Sequence, residues 1–196
     1  MKRLITTLIL VAIFCSVGFA EEADTTAGAA SANFNYRTVS GGFWSCGQDF
    51  SGGLGEFGIN LLPQEKILVL RDCIYVQGEG GTLSQKNELD FGGLEIGNKF
   101  IIGGRVNGSG FVVRNYGFTS LSFGMISCKN HDFTSQPFML NLSFGGGFEF
   151  QFVRHSAFVI EFGGTNRFFA GENSDAAKDF SKTTPVLTIG YRTFRR

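Results

Sequence analysis

Residues Pro137 to Phe152, PFMLNLSFGGGFEFQF, alternate with a period of two over their whole length. Every second residue from Phe138 to Phe152 is Phe or Leu, except Gly146. Between them stand Met139, Asn141, Ser143, Gly145, Gly147, Glu149 and Gln151. Successive side chains of a strand point to opposite faces, so this segment has one bulky apolar face and one small, polar face. At roughly 3.3 Å per residue it is long enough to cross a bilayer at a tilt, which takes about 9–11 residues. The pattern predicts one stave of a transmembrane β-barrel.

The start of the chain agrees with export. Lys2 and Arg3 precede the apolar run Leu4 to Val17, and Gly18-Phe19-Ala20 offers small residues at the −3 and −1 positions of a cleavage site. Residues 1–20 therefore read as a signal peptide; a retained anchor helix would need a run of about 20 apolar residues. Phe14 before Cys15 argues against a lipid-modified cysteine. Residues 21–33, small and polar, read as a flexible N-terminal segment, and 34–196 as the barrel. Of 17 basic residues Lys2 and Arg3 leave with the signal, so 15 face 17 acidic ones. That near-neutral balance without a basic run argues against a nucleic-acid partner. No later segment has 18 consecutive apolar residues, so the remaining way to span a membrane is a closed sheet. The 28 glycines and 23 phenylalanines disfavour helix, and 17% charged residues fall below the roughly 25% of soluble domains, as a lipid-facing belt requires.

About eight strands follow from the alternation: 34–44, 53–62, 67–80, 91–105, 111–127, 137–151, 154–167 and 184–194. Tight connections at Leu62–Lys66, Val106–Gly110 and Gln151–Arg154 alternate with longer polar ones at Gly81–Asp90, Cys128–Gln136 and Phe169–Thr183. Short periplasmic turns and long external loops are the habit of outer-membrane barrels. The expected fold is all-β, an up-and-down antiparallel transmembrane β-barrel with both termini on the periplasmic side. Two flaws stand out. Asp72 falls on the greasy face of its strand, and Ile101 falls among polar-face residues near Gly97-Asn98, where a bulge or turn is expected.

A soluble, lipocalin-like barrel has the same alternation with its faces exchanged. Its water-facing side would be rich in Lys and Glu, whereas here the polar face is mostly Gly, Ser and Asn. The large aromatics would overfill a small interior. Signal peptide, alternation, loop asymmetry and the last strand, TTPVLTIGYRTFRR, together resemble the small outer-membrane barrels of the OmpX and OmpA transmembrane type, over Phe34 to Arg196. The resemblance implies outer-membrane lipid and the barrel-insertion machinery as partners. The last strand departs from the usual pattern in ending on Arg195-Arg196, with Phe194 out of phase with Tyr191.

With polar faces inward, the lumen is expected to hold Glu56, Arg71, Glu79, Arg105, Arg114, Glu149, Glu161 and Arg192. Hairpin geometry sets Arg114 opposite Glu149, and Arg192 opposite Glu161. A charge in a narrow barrel needs a partner, so the network reads as a salt-bridge plug, the alternative being a charged constriction in a channel for small or hydrophobic solutes. Enzyme activity is not expected. His155 is set beside Ser156, on opposite strand faces, with Glu149 approaching across a hairpin, and His131 falls in an external loop. No C-x-x-C joins Cys46, Cys73 and Cys128, so no metal site or cofactor is expected, and one disulfide among the three is open. Phe43, Trp44, Tyr36, Tyr116, Phe168, Phe169 and Tyr191 read as interfacial girdles. Loops Gly81–Asp90 and Phe169–Thr183 are the candidate surfaces for an extracellular partner. The function so implied is a structural or surface-interaction role; a channel and a soluble periplasmic binder are the alternatives.

Overall fold

The first strand and the last are hydrogen-bonded neighbours, and that pairing closes the sheet. A computed structural model of the chain describes residues 37–46, 50–62, 67–83, 89–108, 110–129, 134–153, 155–170 and 183–195. The signal peptide, the segment 21–33, Tyr36 and His131 lie outside the described residues. Eight long antiparallel strands form the wall: β1 (Arg37–Cys46), β2 (Phe50–Asn60), β3 (Leu68–Leu83), β4 (Leu89–Asn107), β5 (Val112–Lys129), β6 (Phe138–Val153), β7 (Ser156–Ala170) and β8 (Thr184–Arg195). Thr134–Ser135 adds a short ladder to the end of β5. Each strand pairs with its sequence neighbours, as an up-and-down barrel requires.

The register fixes the barrel's dimensions. Pro185 on β8 pairs with Gly164, and the path continues through Phe144, Thr119, Phe100, Asp72, Ile59 and Arg37 to Arg195, again on β8. One circuit therefore advances from residue 185 to residue 195, a stagger of ten. With eight strands that stagger implies a tilt of roughly 40° and a backbone radius of roughly 8 Å. So narrow a tube has room for side chains and little else.

The polarity of the wall runs apolar outside and polar inside. Along β6, Phe144 is 51% exposed and Glu149 is 0% exposed. Ile74, Leu94, Phe123, Phe158, Phe162 and Phe168 share the outer surface, while Arg71, Arg114, Arg167 and Arg192 are buried. This is the reverse of a lipocalin-like barrel, and a contiguous apolar surface of this extent belongs against hydrocarbon.

Several details differ from expectation. Strands β4 and β5 reach Leu89 and Lys129 and run past the expected bounds, because Asp90 pairs with Lys129 beyond the apolar belt, where alternation leaves no mark. No bulge interrupts Gly97-Asn98: the ladders to β3 and β5 pass straight through. Ile101 is inward, as its place among polar-face residues indicated, and fully buried, in a small cluster with Cys73 and Tyr116 against which Phe118 packs. Among the described residues the register shifts only beside the turn after β6, between Phe150 and Val153. At the tight β4–β5 turn the Gly108 amide donates to the Phe111 carbonyl at 2.9 Å, and Gly110 takes φ +83°, a region that favours glycine.

Inward glycines make room for rings. A Cβ on Gly97 would meet Tyr75 Cζ at 2.7 Å, and one on Gly147 would meet Tyr116 Cζ at 2.7 Å and Glu161 Cγ at 2.9 Å. Gly147→Val is therefore expected to destabilise the barrel by about 1–3 kcal/mol through overpacking. The check is a lowered urea midpoint in lipid vesicles; an unchanged midpoint would show that Tyr116 is not wedged there.

Candidate functional site: the charged lumen

Even spacing along neighbouring strands carries the charged side chains to the same side of the wall. Glu56 on β2, Arg71 on β3, Lys99 on β4, Arg114 on β5, Glu149 on β6, Glu161 on β7 and Arg192 on β8 all point inward and are all buried. They meet near the end of the barrel that carries the tight turns. Glu149 is the hub. Its carboxylate receives Arg71 at 2.5 Å, Arg192 in close contact and Arg114 at 3.6 Å. Arg192 also reaches Glu56, whose other oxygen lies 2.5 Å from Lys99 Nζ. Lys99 continues to Glu161 at 3.0 Å, and the Tyr116 hydroxyl donates to Glu161 at 2.8 Å. Arg71 Nε donates to Asn60 Oδ1 at 2.7 Å, and Ser40 Oγ donates to Glu56 at 3.1 Å. Four cations and three carboxylates thus share one network across seven strands. The Phe194 ring lies below it, 4.8 Å from Arg114 and 5.8 Å from Arg71. These are cation–π distances.

A second cluster lies nearer the end that carries the long connections. Arg167 meets Glu79 at 2.7 Å. Glu95 accepts from Ser122 at 2.9 Å and from Asn141 at 3.2 Å, and Thr165 hydrogen-bonds Asn141. Between the clusters is a cavity of about 40 Å³ lined by Leu54, Tyr75, Gln77, Phe118, Ser120 and Thr188, among others. At roughly 10–15 Å³ per water it has space for a few water molecules, not for an organic solute.

All eight lumenal charges named from the sequence are placed on the inner wall, Arg105 half-buried and the others buried. Arg114 stands directly opposite Glu149 in the ladder. The expected pairing of Arg192 with Glu161 needs correction: the ladder sets Arg192 opposite Ala157 and Glu161 opposite Thr188. Arg192 spends its guanidinium on Glu149 and Glu56, and approaches Glu161 only to 4.0 Å. Glu79 does not join the hub but pairs in the other cluster. Among the described residues Glu95, Lys99 and Arg167 are further buried charges of the lumen, and they were missed. Each shares phase with an inward residue that was recognised: Arg105 six residues from Lys99, and Glu161 six from Arg167.

Tyr116 is a lumenal hydrogen-bond donor, not a girdle residue, because it lies two positions from Arg114 on the same face. Phe169 has the inward phase and is half-buried, whereas Phe43, Phe168 and Tyr191 do face outward. Nothing follows for the side chains of Trp44, Cys46 and Cys128, which lie outside the description; Cys73 is buried and its thiol is free. Glu149 does not approach His155 as expected. Its oxygens are held by arginines, while His155 sits exposed at the turn and its backbone oxygen accepts from the Phe194 amide at 2.8 Å. Among the described residues no group of His, Cys, Asp and Glu is placed to hold a metal ion. The loops Gly81–Asp90 and Phe169–Thr183 fall largely outside the described residues, at 84–88 and 171–182.

Removing the hub charge should expose its worth. Glu149→Gln leaves three guanidinium groups facing a neutral amide, and a loss of about 3–5 kcal/mol is expected. Glu79→Gln, which strips one partner from Arg167 alone, should cost less. Urea unfolding of both variants in vesicles orders them; equal losses would mean that Glu149 is not shared.

No protein-family model matches the chain, and no curated protein matches it. Solved structures do. Ail, the attachment invasion locus protein of Yersinia pestis, is similar with a TM-score of 0.52 at 11% identity, over 82% of this chain and 98% of that one. The N-terminal β-barrel domain of Pseudomonas aeruginosa OprF matches with a TM-score of 0.49 at 14% identity, over 82% of this chain and 98% of that one. A major outer membrane protein from Thermus thermophilus matches with a TM-score of 0.49 at 12% identity and the same coverage. Such identities speak for fold alone. The chain has the closed eight-strand architecture of the small outer-membrane barrels of the OmpX and OmpA transmembrane type.

Proposed function

We propose that this chain is an integral protein of the outer membrane, that its own side chains close its lumen, and that it acts from its surface as a structural element or a docking surface. One observation carries the reading: the network around Glu149 and Arg192 draws residues from seven strands into the axis of a tube only roughly 8 Å in backbone radius. A conducting pore of this size would need its axis cleared, and clearing it would strand several buried charges at once. With the lumen occupied, the wall offers hydrocarbon contact and the connections offer the rest. Gly81–Asp90 and Phe169–Thr183 join strands at the end opposite Arg37 and Arg195, which is the extracellular end if Arg37 and Arg195 face the periplasm. Outer-membrane lipid is the partner of the wall, and the barrel-insertion machinery the partner of β8 during assembly. No catalytic, metal or cofactor role is part of this reading.

The competing reading is a narrow channel. Purified barrel in a planar bilayer is expected to stay electrically silent, and regular stepwise openings would replace the plugged reading with the channel. Unboiled protein should migrate differently from boiled protein on a detergent gel, as a closed barrel resists unfolding. Topology has its own test. An epitope inserted between Ala176 and Ala177 should bind antibody on intact cells; binding only after the outer membrane is broken would put that loop in the periplasm and remove the surface role.

A further inference from the structure

Asn60 ends β2 directly opposite Arg71 in the ladder, at the end of the barrel that carries the tight turns. Its side chain is buried, only 4% exposed. The Arg71 Nε donates to Asn60 Oδ1 at 2.7 Å, and this bond fixes the amide, because turning it over would set its Nδ2 against another donor. Nδ2 is thus aimed away from that contact, and among the described residues it has no hydrogen-bond partner. Arg114 Nη1 has none either. Arg114 is 2% exposed, and this nitrogen stands 3.6 Å from the Glu149 carboxylate, too far for a hydrogen bond. Asn60, Arg71 and Arg114 line one cavity of about 10 Å³, which they share with Leu62, Leu68 and Val69.

The charge beside this cavity does not balance. Arg71, Lys99, Arg114 and Arg192 stand against Glu56, Glu149 and Glu161, so the buried network is one negative charge short. Arg105, opposite Arg114 in the ladder, brings a further guanidinium to the same end. Asp72 does not supply what is missing. It faces outward from β3, is exposed, and accepts from Asn98 Nδ2 at 2.7 Å. An uncompensated buried charge is strongly destabilising. The missing charge and the two unpartnered donors fall at one place.

The volume admits one small sphere, since a water needs roughly 10–15 Å³ by this measure. Phosphate, sulfate and carboxylate groups carry several heavy atoms and are too large. A water would accept from Asn60 and Arg114 but would then have two hydrogens to place. The side chains around it offer donors and hydrocarbon, and Asn60 Oδ1 is already taken by Arg71. A monatomic anion accepts from every direction, donates nothing and supplies the missing charge.

We infer that this cavity is a binding site for a single monatomic anion such as chloride, held by Asn60 Nδ2 and Arg114 Nη1 beside Arg71, and that the ion completes the charged network. The site rests on the buried network and not on what the outer loops do. In the test, the whole chain in phosphatidylcholine vesicles is unfolded with urea while sodium gluconate, too large for the cavity, is exchanged for sodium chloride at constant ionic strength. The wild-type midpoint is expected to rise with chloride and to saturate, and bromide should act likewise. Asn60→Leu removes the amide donor and should lose the response. Asn60→Asp puts a carboxylate beside the ion's place. It should also lose the chloride response, and in gluconate its midpoint should exceed that of the wild type, the reverse of what a newly buried acid does where no positive charge is in surplus. Ser143→Ala, at the other cluster, should respond as the wild type does. A wild-type midpoint indifferent to chloride, or one that climbs without saturating as a general salt effect does, would overturn the proposal, and so would an undiminished response in Asn60→Asp. The wild-type titration decides even where a variant fails to close, and the heat-dependent gel shift reports closure for each.

Discussion

In hydrocarbon an unpaired peptide group has no water to bond, so the ladder between Arg37–Cys46 and Thr184–Arg195 is the contact on which the rest of this structure depends. Without it the sheet has two open edges inside a membrane. With it, strand number and stagger are fixed together, and with them the radius. A tube this narrow cannot hold phenylalanine on both faces. The bulky residues are driven outward, and the inner wall is left to glycine, small polar residues and long charged side chains that reach the axis. Gly97 and Gly147, each set against a tyrosine ring, are the local cost of fitting rings into that space.

The charges inside are not there because ion pairs are strong. Exchanging a buried pair for well-packed apolar groups is often neutral or stabilising. What an apolar lumen would remove is contrast. With both faces of every strand greasy, a slip of one residue would exchange equivalent faces, and nothing would hold the register. The polar inner face makes each such slip expensive, since it would push Glu149 into lipid and Phe148 into the hub. Sharing follows from the same constraint. Arg192 serves Glu149 and Glu56, and Lys99 serves Glu56 and Glu161, because converging strands bring more charges to the axis than isolated pairs can absorb.

The sequence revealed the wall better than the lumen's wiring. Alternation around Phe138–Phe152 announced the faces, and of the eight charges assigned to the lumen from it seven are buried and Arg105 is half-buried. Phase says where a side chain points but not whom it meets. Arg114 opposite Glu149 was legible because a single hairpin separates them. The reach of Arg192 to Glu56 spans the closure seam and 136 residues, and no local pattern encodes it. Glu95 and Lys99 were hidden by their company: Gly93, Gly97 and Ile101 give that face of β4 too little contrast to be read. Arg167 is the last residue of the expected strand 154–167, whereas β7 runs on to Ala170 and sets it inside the wall instead of at its edge. Phe194, out of phase with the outer face, turns out to be inside beneath Arg114 and Arg71, so the irregular ending of the last strand belongs to the lumen's floor.

The two charged clusters also bear on permeation by their sign. The lower one sets Arg71, Lys99, Arg114 and Arg192 against Glu56, Glu149 and Glu161, an excess of cationic groups; in the upper one Arg167 is matched by Glu79, and Glu95 is held by Ser122 and Asn141. A cation that passed the upper cluster would next face Lys99 and Arg192. Selective pores hold one sign of charge along the path so that binding and exit remain balanced. A lumen whose lower cations are each held by a carboxylate of the shared network offers no such path, and this argues for closure on grounds independent of how tightly the side chains fill the space.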